Sequence, residues 1–546
     1  MRENVSLKTT AKNIFLFLKE TSRFDDMMAK AIPVAKGDQG FLIPVGKIHT
    51  SNPSFKHRLA RFEKVLIGEH FKLDFTDDSQ AFILVNEFGE DIGLVSLKLD
   101  LAGGEKTQMN HLSVTNDLKS EKLTPMLQIL LSWIEEFLIP EQVYISKSDG
   151  KNFKPFSEKL NFFEDSAQYT YKPTTPDLGK SEILTAGPSI SPFENSFALD
   201  ASRYGWNSEW AKYIKKFETK FAEYIGVKHA VSTSSCTGAL HIALLALGIG
   251  PGDEVIVPEI TWVATASAAR YVGAKVVFCD VQKENWCMDP DSLEKLITPK
   301  TKCIMPVHTY GHPCDMDRIM EIANKHKLFV VEDAAPAIGA MCRGRKVGTY
   351  GHFAAFSFQG AKMLVTGEGG MLVCNDQTLF QKAYKIWDHG RVPGTFWIDE
   401  VGVKYKMANI LAALGLGQLE RCEEQIKSKR KIAQWYKEEF KDFDGVQLIS
   451  ESSWARSIYW MNCIAVNPKW GVPREDLFKK LKEKMIDTRP AFPAISQYPM
   501  WKEAPKPTAH EIGENGVNLP SGVRLREDQV RFVAKSIKEA MTALRK

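Results

Sequence analysis

From about residue 205 onward, short and continuously apolar runs alternate with helix-like stretches, and this constrains the fold more than any other feature of the 546 residues. A helical pattern over 209–224 leads to a strand pattern at 230–234, then to a second helical pattern over 237–247 that stops at Gly248. Further apolar runs follow at 254–258, 274–280, 302–307 and 329–333, with a helical pattern at 315–326 and another buried run at 352–358. Strands that are apolar on both faces and joined by helices make a largely parallel α/β sheet covered on both sides. Ligands in such sheets bind beyond the carboxyl ends of the strands. The polar residues at those ends are therefore where chemistry is expected.

Lys362 follows the run at 352–358 and precedes Gly367, Gly369 and Gly370, which leave room for a bulky group beside the backbone. A lysine between a buried strand and a small-residue turn is placed for desolvation, which lowers the amine's pKa and frees the lone pair a Schiff base needs. Taken alone, one lysine among 71 Lys and Arg residues reads as a surface charge. Its companions change that. Asp333 ends the run at 329–333, where it either partners a protonated pyridine nitrogen or caps a helix begun by the following Ala-Ala-Pro. Ser235, Cys236 and Thr237 lie between a strand and a helix, as a phosphate site or as an ordinary cap. Trp262 offers a flat face to an aromatic ring or packs in the core. Ser357 is placed to donate another phosphate hydrogen bond. A lysine for an imine, a carboxylate for a pyridinium, a hydroxyl-lined helix start and an indole are together the parts of a pyridoxal 5'-phosphate (PLP) site.

The chain also resembles the PLP-dependent sugar aminotransferases of fold type I, the DegT family, from about residue 181 to its end. The resemblance is carried by Gly-Asp-Glu-Val-Ile-Val-Pro at 252–258, Val-His-Thr-Tyr-Gly-His at 307–312, Glu-Asp-Ala-Ala at 332–335 and the Lys362 run ending Gly-Glu-Gly-Gly at 367–370. Gly-Val-Lys-Tyr-Lys-Met at 402–407, Ile-Asp-Thr-Arg-Pro at 486–490 and Asn-Leu-Pro-Ser at 518–521 continue it. It implies a fold type I PLP transferase, with a mostly parallel large domain over 205–425 and a small C-terminal α/β domain over 426–546. It assigns Lys362 to covalent attachment of the cofactor, Asp333 to the ring nitrogen, Trp262 to stacking, and Ser235, Cys236, Thr237 and Ser357 to the phosphate loop. Lys404 would reach the phosphate of a neighbouring subunit, which implies a homodimer with shared sites. Cysteine at 236 departs from the small residue often found there. Pro336 replaces a glutamine near the cofactor's phenolic oxygen, and Lys404 and Lys406 replace an Asn and an Arg.

The implied reaction moves an amino group, with glutamate as the expected donor, to a keto-sugar for surface polysaccharide or lipopolysaccharide synthesis. Two acceptors stay open: a 4-keto nucleotide sugar of the perosamine type and an oxidised octulosonate (Kdo-type) acid. Arg489 either contacts a substrate phosphate or carboxylate, or forms a structural ion pair. Related PLP sugar dehydratases carry histidine in place of the lysine, so Lys362 argues against that chemistry. A non-catalytic PLP-fold regulator is the alternative outside enzymology. His308 and His312 are spaced for a metal only on a helix, and Tyr-Gly-His-Pro at 310–313 reads as a turn, so no metal is expected.

Residues 1–172 read as a separate unit, followed by a linker and arm over 173–204. Strand patterns at 81–86, 92–100, 109–114, 143–146 and 168–171, with helical patterns at 124–138 and 153–160, resemble the GNAT acetyltransferase layout, an α+β fold. In that family a glycine-rich turn holds the CoA pyrophosphate. The matching stretch 119–124 has no glycine, and Glu121 would repel phosphate. His111 offers no clear general base. The expectation is the fold without the activity, the alternative a bifunctional aminotransferase and N-acyltransferase.

A formal charge of +4 gives no argument for nucleic acid or an anionic membrane as partner, and no apolar run is long enough to span a bilayer. Nine cysteines without a Cys-x-x-Cys pair, none before Cys236, suit free thiols in a reducing compartment. With no secretory signal evident, the expected location is the cytoplasm.

Overall fold

The computed structural model describes residues 178–190, 192–501 and 503–545, together with eight strands between residues 32 and 171. The chain divides into two units, Met1–Thr175 with Ile190–Tyr204, and Pro176–Ser189 with Gly205–Lys546.

The first unit holds β1 (Ile32–Pro33), β2 (Phe41–Val45), β3 (Ser79–Val85), β4 (Asp91–Leu99), β5 (Lys106–Val114), β6 (Gln142–Ser146), β7 (Phe162–Glu164) and β8 (Gln168–Tyr171). They form one sheet in the order β1-β2-β3-β4-β5-β6-β8-β7. Its β5–β6 pair is parallel and is bonded only from Lys106↔Gln142 to Gln108↔Tyr144. Beyond that point β5 stays with β4 as far as Val114, while β6 stays with β8 to Ser146. The expected helices at 124–138 and 153–160, the turn at 119–124 and the start of the linker at 172–177 lie outside the described residues.

The second unit is built on β9 (His229–Thr233), β10 (Glu254–Pro258), β11 (Lys275–Cys279), β12 (Thr301–Ile304), β13 (Phe329–Asp333), β16 (Phe353–Ser357) and β17 (Gly370–Cys374), in the order β11-β10-β12-β13-β16-β17-β9. Every residue of β10 is buried, and its neighbours alternate between two cores. Val255 and Val257 pack with Leu240 and Ala266 on one side, and Ile256 packs with Ile304 and Ile319 on the other. This double burial produces the unbroken apolar runs.

β12 stops at Ile304, short of the apolar run, and Val307 rejoins the sheet as a single bridge to Asp333. Within this sheet β17 is the strand that the sequence patterns did not include. It runs antiparallel to both β16 and β9. A parallel strand needs a long crossover, usually a helix. The connection 358–369 contains none; Phe358 N bonds Gly369 O and Gln359 bridges Gly367, so the chain doubles back.

Between these strands, β14 (Met341–Cys342) and β15 (Arg345–Lys346) pair with each other, and β14 also pairs with β19 (Ala455–Arg456). Toward the C-terminus, β18 (Val446–Leu448), β20 (Asn462–Val466), β22 (Gly516–Leu519) and β21 (Arg489–Pro490) form an antiparallel sheet. The helices Cys422–Phe440, Arg474–Glu483 and Glu527–Leu544 cover it through Ile432, Leu477 and Val533. Among the described residues no helix is long and apolar enough to cross a membrane.

Candidate active site

Sheet order brings the strand ends together. Across β16, β17 and β9 the register places Ser357, Gly370 and Thr233 in one row. Gly370 is needed there: a Cβ would lie 2.5 Å from the backbone nitrogen of Cys236 and from the carbonyl carbon of Ser235. The turn Ser234–Ser235 thus rests directly on the start of β17 and leads into the helix Cys236–Ala246. Ser235 is the N-cap, its Oγ accepting from Gly238 N at 3.1 Å, and its hydroxyl hydrogen remains available to donate. The first-turn N–H groups of Cys236 and Thr237 have no carbonyl one turn back to bond. The Cys236 thiol turns away from this helix end toward Asp333, 3.9 Å from Oδ1, and burial followed by the Asp333 charge pushes it well up.

Asp333 is 5% exposed. Thr265 Oγ1 donates to its Oδ2 at 2.6 Å and Ala335 N to its Oδ1 at 3.1 Å. Turns follow rather than a helix, so Asp333 is not a helix cap. Its hydrogen-bond partners are neutral donors, so a cationic ring nitrogen suits the carboxylate as a further partner.

Lys362 is half-buried, with Nζ 3.8 Å from the ring centroid of Trp460. Burial pulls its amine down to about 8, against the opposing pull of Asp333 and Cys236. Trp262 is 60% exposed, so it is not a core residue. Its ring lies 6.1 Å from that of Phe492, which stacks on Tyr310 at 5.1 Å, which in turn stacks on Trp460 at 6.0 Å. This row of aromatics runs from beneath Lys362 to Trp262. Ser357 is buried and its Oγ accepts from Gln359 N at 3.4 Å.

Lys404 is exposed, on a segment pinned to the same loop of its own chain: Tyr405 O accepts from Ser234 N at 2.6 Å, and the Tyr405 ring covers Gly238. Lys406 pairs with Asp388 over the Trp387 ring. The Arg489 side chain is 68% exposed and 3.1 Å from Asp487, whose other oxygen takes the Thr185 hydroxyl at 2.5 Å. The ion pair is real, and the exposed fork keeps donors to spare.

Both histidines of the 307–312 motif are buried and fully engaged. His308 Nδ1 accepts from Cys314 N at 3.0 Å, so its Nε2–H donates to Glu332 at 3.1 Å. His312 Nε2 accepts from Ser452 N and its Nδ1–H donates to Pro313 O. They anchor loops. Among the described residues no group of three His, Cys, Asp or Glu is placed to hold a metal.

Sequence reasoning missed Thr265, Trp460 and Phe492. Trp460 and Phe492 come from the C-terminal part of the chain, and only Thr265 had a local signal, three residues after Trp262. The arrangement fits PLP on its own terms. A buried carboxylate suits the pyridinium, a helix start that approaches β17 only because residue 370 lacks a Cβ suits the phosphate, and a lowered amine suits covalent attachment.

Comparison with known proteins points the same way. Residues 180–538 match the DegT/DnrJ/EryC1/StrS aminotransferase family. The GDP-perosamine synthase of Escherichia coli O157:H7 is 43% identical over 355 residues, covering 64% of this chain and 96% of that protein. The GDP-perosamine synthase of Caulobacter vibrioides is 38% identical over 364 residues, covering 66% and 98%. The putative sugar aminotransferase Spr1654 of Streptococcus pneumoniae, solved in its PMP-form, superposes with a TM-score of 0.63 at 26% identity, over 66% of this chain and 98% of that one. The chain therefore belongs to the DegT/DnrJ/EryC1/StrS aminotransferase family and is a PLP-dependent sugar aminotransferase.

Proposed function

We propose that the protein aminates a 4-keto nucleotide sugar of the perosamine type, takes the amino group from glutamate, and serves surface polysaccharide or lipopolysaccharide synthesis. One observation carries the chemistry: the Lys362 amine, drawn down to about 8, faces Asp333 and Cys236 at the carboxyl edge of the sheet. The perosamine-type acceptor is supported, over the octulosonate acid, by relatives of that name at 43% and 38% identity matched over nearly their whole length.

PLP supplies, when bound, an electron sink for breaking a bond to hydrogen beside nitrogen. Asp333, held by Thr265 and Ala335, keeps the proton on the ring nitrogen. Lys362 Nζ takes and returns the migrating proton, a task suited to an amine that titrates near neutrality. Ser235, Thr237, Ser357 and the Cys236 N–H hold the phosphate at the helix start. Trp262 covers the ring, and Arg489 meets a phosphate or carboxylate of the substrate.

The protein acts as a homodimer in this reading. Phe396, Trp397 and Val401 are 96%, 71% and 96% exposed on the segment leading into Lys404. Large apolar side chains so exposed favour burial against a second copy, with Lys404 reaching the partner's phosphate. The domains run 1–172, 173–204, 205–425 and 426–546. The first has an acetyltransferase-like fold, supported by a parallel β5–β6 pair bonded at one end only, and no acetyltransferase activity, because the turn at 119–124 lacks glycine. Its role is docking of substrate or partner, or support of the dimer. Nine free and buried cysteines suit the cytoplasm.

Borohydride reduction of the PLP-loaded protein followed by peptide mapping should place the cofactor on Lys362; label on another lysine sinks the assignment. Glutamate should convert the loaded protein to its pyridoxamine spectrum, which a non-catalytic regulator would not show. Turnover of the octulosonate acid in place of the nucleotide sugar would overturn the substrate.

A further inference from the structure

Trp460 lies beneath Lys362, and the roles above leave it without one. Its ring is buried, and contacts on several sides lock it. Nε1 donates to Ala361 O at 2.8 Å, the face stacks on Tyr310 at 6.0 Å and 19°, and the main-chain carbonyl accepts from Lys429 Nζ at 2.9 Å. A Cβ at Gly311 would stand 2.7 Å from Trp460 N, so the backbone there approaches as closely as glycine permits. Tyr310 (φ 52°) and Gly311 (φ 101°) both hold left-handed backbone to make that approach. Strain of this kind persists only where the surroundings over-determine it.

The same indole therefore fixes the main chain just before Lys362 through Ala361 and offers its face to the amine at 3.8 Å. A cation over an indole face is attracted by the ring quadrupole, most strongly where water is excluded. We propose that Trp460 is a positioning residue for the catalytic lysine, its indole face seating the Lys362 amine whenever that amine is free. The inference rests on the reading of Lys362 as the lysine that carries the cofactor. Asp333 and Cys236 are the other groups that face the amine; the Asp333 carboxylate favours its charged form, against burial, and the indole adds to that side. Lys429 meets the Trp460 carbonyl, not the ring.

A desolvated contact of this type moves an amine's titration by about 0.5–1.5 pH units. The measurement uses the full chain loaded with pyridoxamine 5'-phosphate, in which Lys362 is free. Trace acetic anhydride labelling across the pH range, read by mass spectrometry on the Lys362 peptide, gives its midpoint. W460L should lower that midpoint by about 0.5–1.5 units, and W460F by less, because phenylalanine keeps a weaker ring. An unchanged or raised midpoint in W460L overturns the proposal. Should W460L not hold the cofactor, W460F decides alone, and a midpoint equal to wild type overturns it. Borohydride mapping separates the two readings. Label on another lysine defeats the Lys362 assignment, whereas label on Lys362 with an unmoved midpoint defeats only the Trp460 seat.

Discussion

Lys429 makes the sharpest stability prediction. It is 5% exposed on the helix Cys422–Phe440, and its Nζ donates to Trp460 O at 2.9 Å and to Ser521 O at 2.5 Å. Two carbonyls match the two N–H bonds of a neutral amine, and burial pulls this one down to about 7. An unfolded lysine titrates near 10.4. Between those values the unfolded chain binds the extra proton, so stability rises with pH at up to about 1.4 kcal/mol per unit. From pH 7 to pH 9 that amounts to about 2 kcal/mol. Lys429→Met removes the titration. It also strands two carbonyls, at about 1–3 kcal/mol each, but that cost does not vary with pH. Urea unfolding followed by tryptophan fluorescence at pH 7, 8 and 9 checks this, the variant's curve subtracted from the wild type's so that Lys362 and other groups cancel. The wild-type midpoint should climb relative to the variant by about 0.5 M over that range, for an m-value of several kcal/mol/M. Parallel curves would refute the claim that Lys429 is neutral in the folded protein.

Gly370→Ala should destabilise by about 1–3 kcal/mol, because its Cβ would meet backbone rather than a movable side chain. It should also weaken PLP retention, measured by thermal midpoint and visible absorbance. Glu332 accepts from Gly348, Tyr350 and Gly351 N–H groups at 2.7, 2.8 and 2.7 Å, besides His308. Burial pushes its carboxyl up, but His308 and these amides hold it below its ordinary value. Its contribution is therefore complete above the unfolded value of about 4.3 and fades as pH falls through the folded one. Glu332→Gln should cost about 2–4 kcal/mol at pH 7, with a shallower loss of stability in acid, followed by urea midpoints at pH 3–7.

The wall and mouth of the site depend on parts of the chain far from the lysine in sequence. Trp460 and Phe492 reach Lys362 and Trp262 only because the C-terminal part of the chain folds back onto the sheet. Buried Glu259, at the end of β10, helps fix that geometry by accepting from Ser496 Oγ and Lys506 N. No local pattern announces such partners, since an indole that seats an amine and one that fills a core have the same neighbours in sequence.

By itself the sequence determined the layered sheet and the strand-end residues. Burial on both faces writes unbroken apolar runs, and chemistry at a strand's carboxyl end must follow such a run, as Asp333 and Ser357 do. β17 and its direction were left to the tertiary structure, because its five residues are all buried and an unbroken buried run reads the same for a strand laid either way. So was the split of duties at the helix start, where Ser235 caps while the Cys236 thiol turns to Asp333. Thr265 became the carboxylate's donor in the same way. These roles depend on distances across strands and between helices, which the chain acquires only when its separate segments pack.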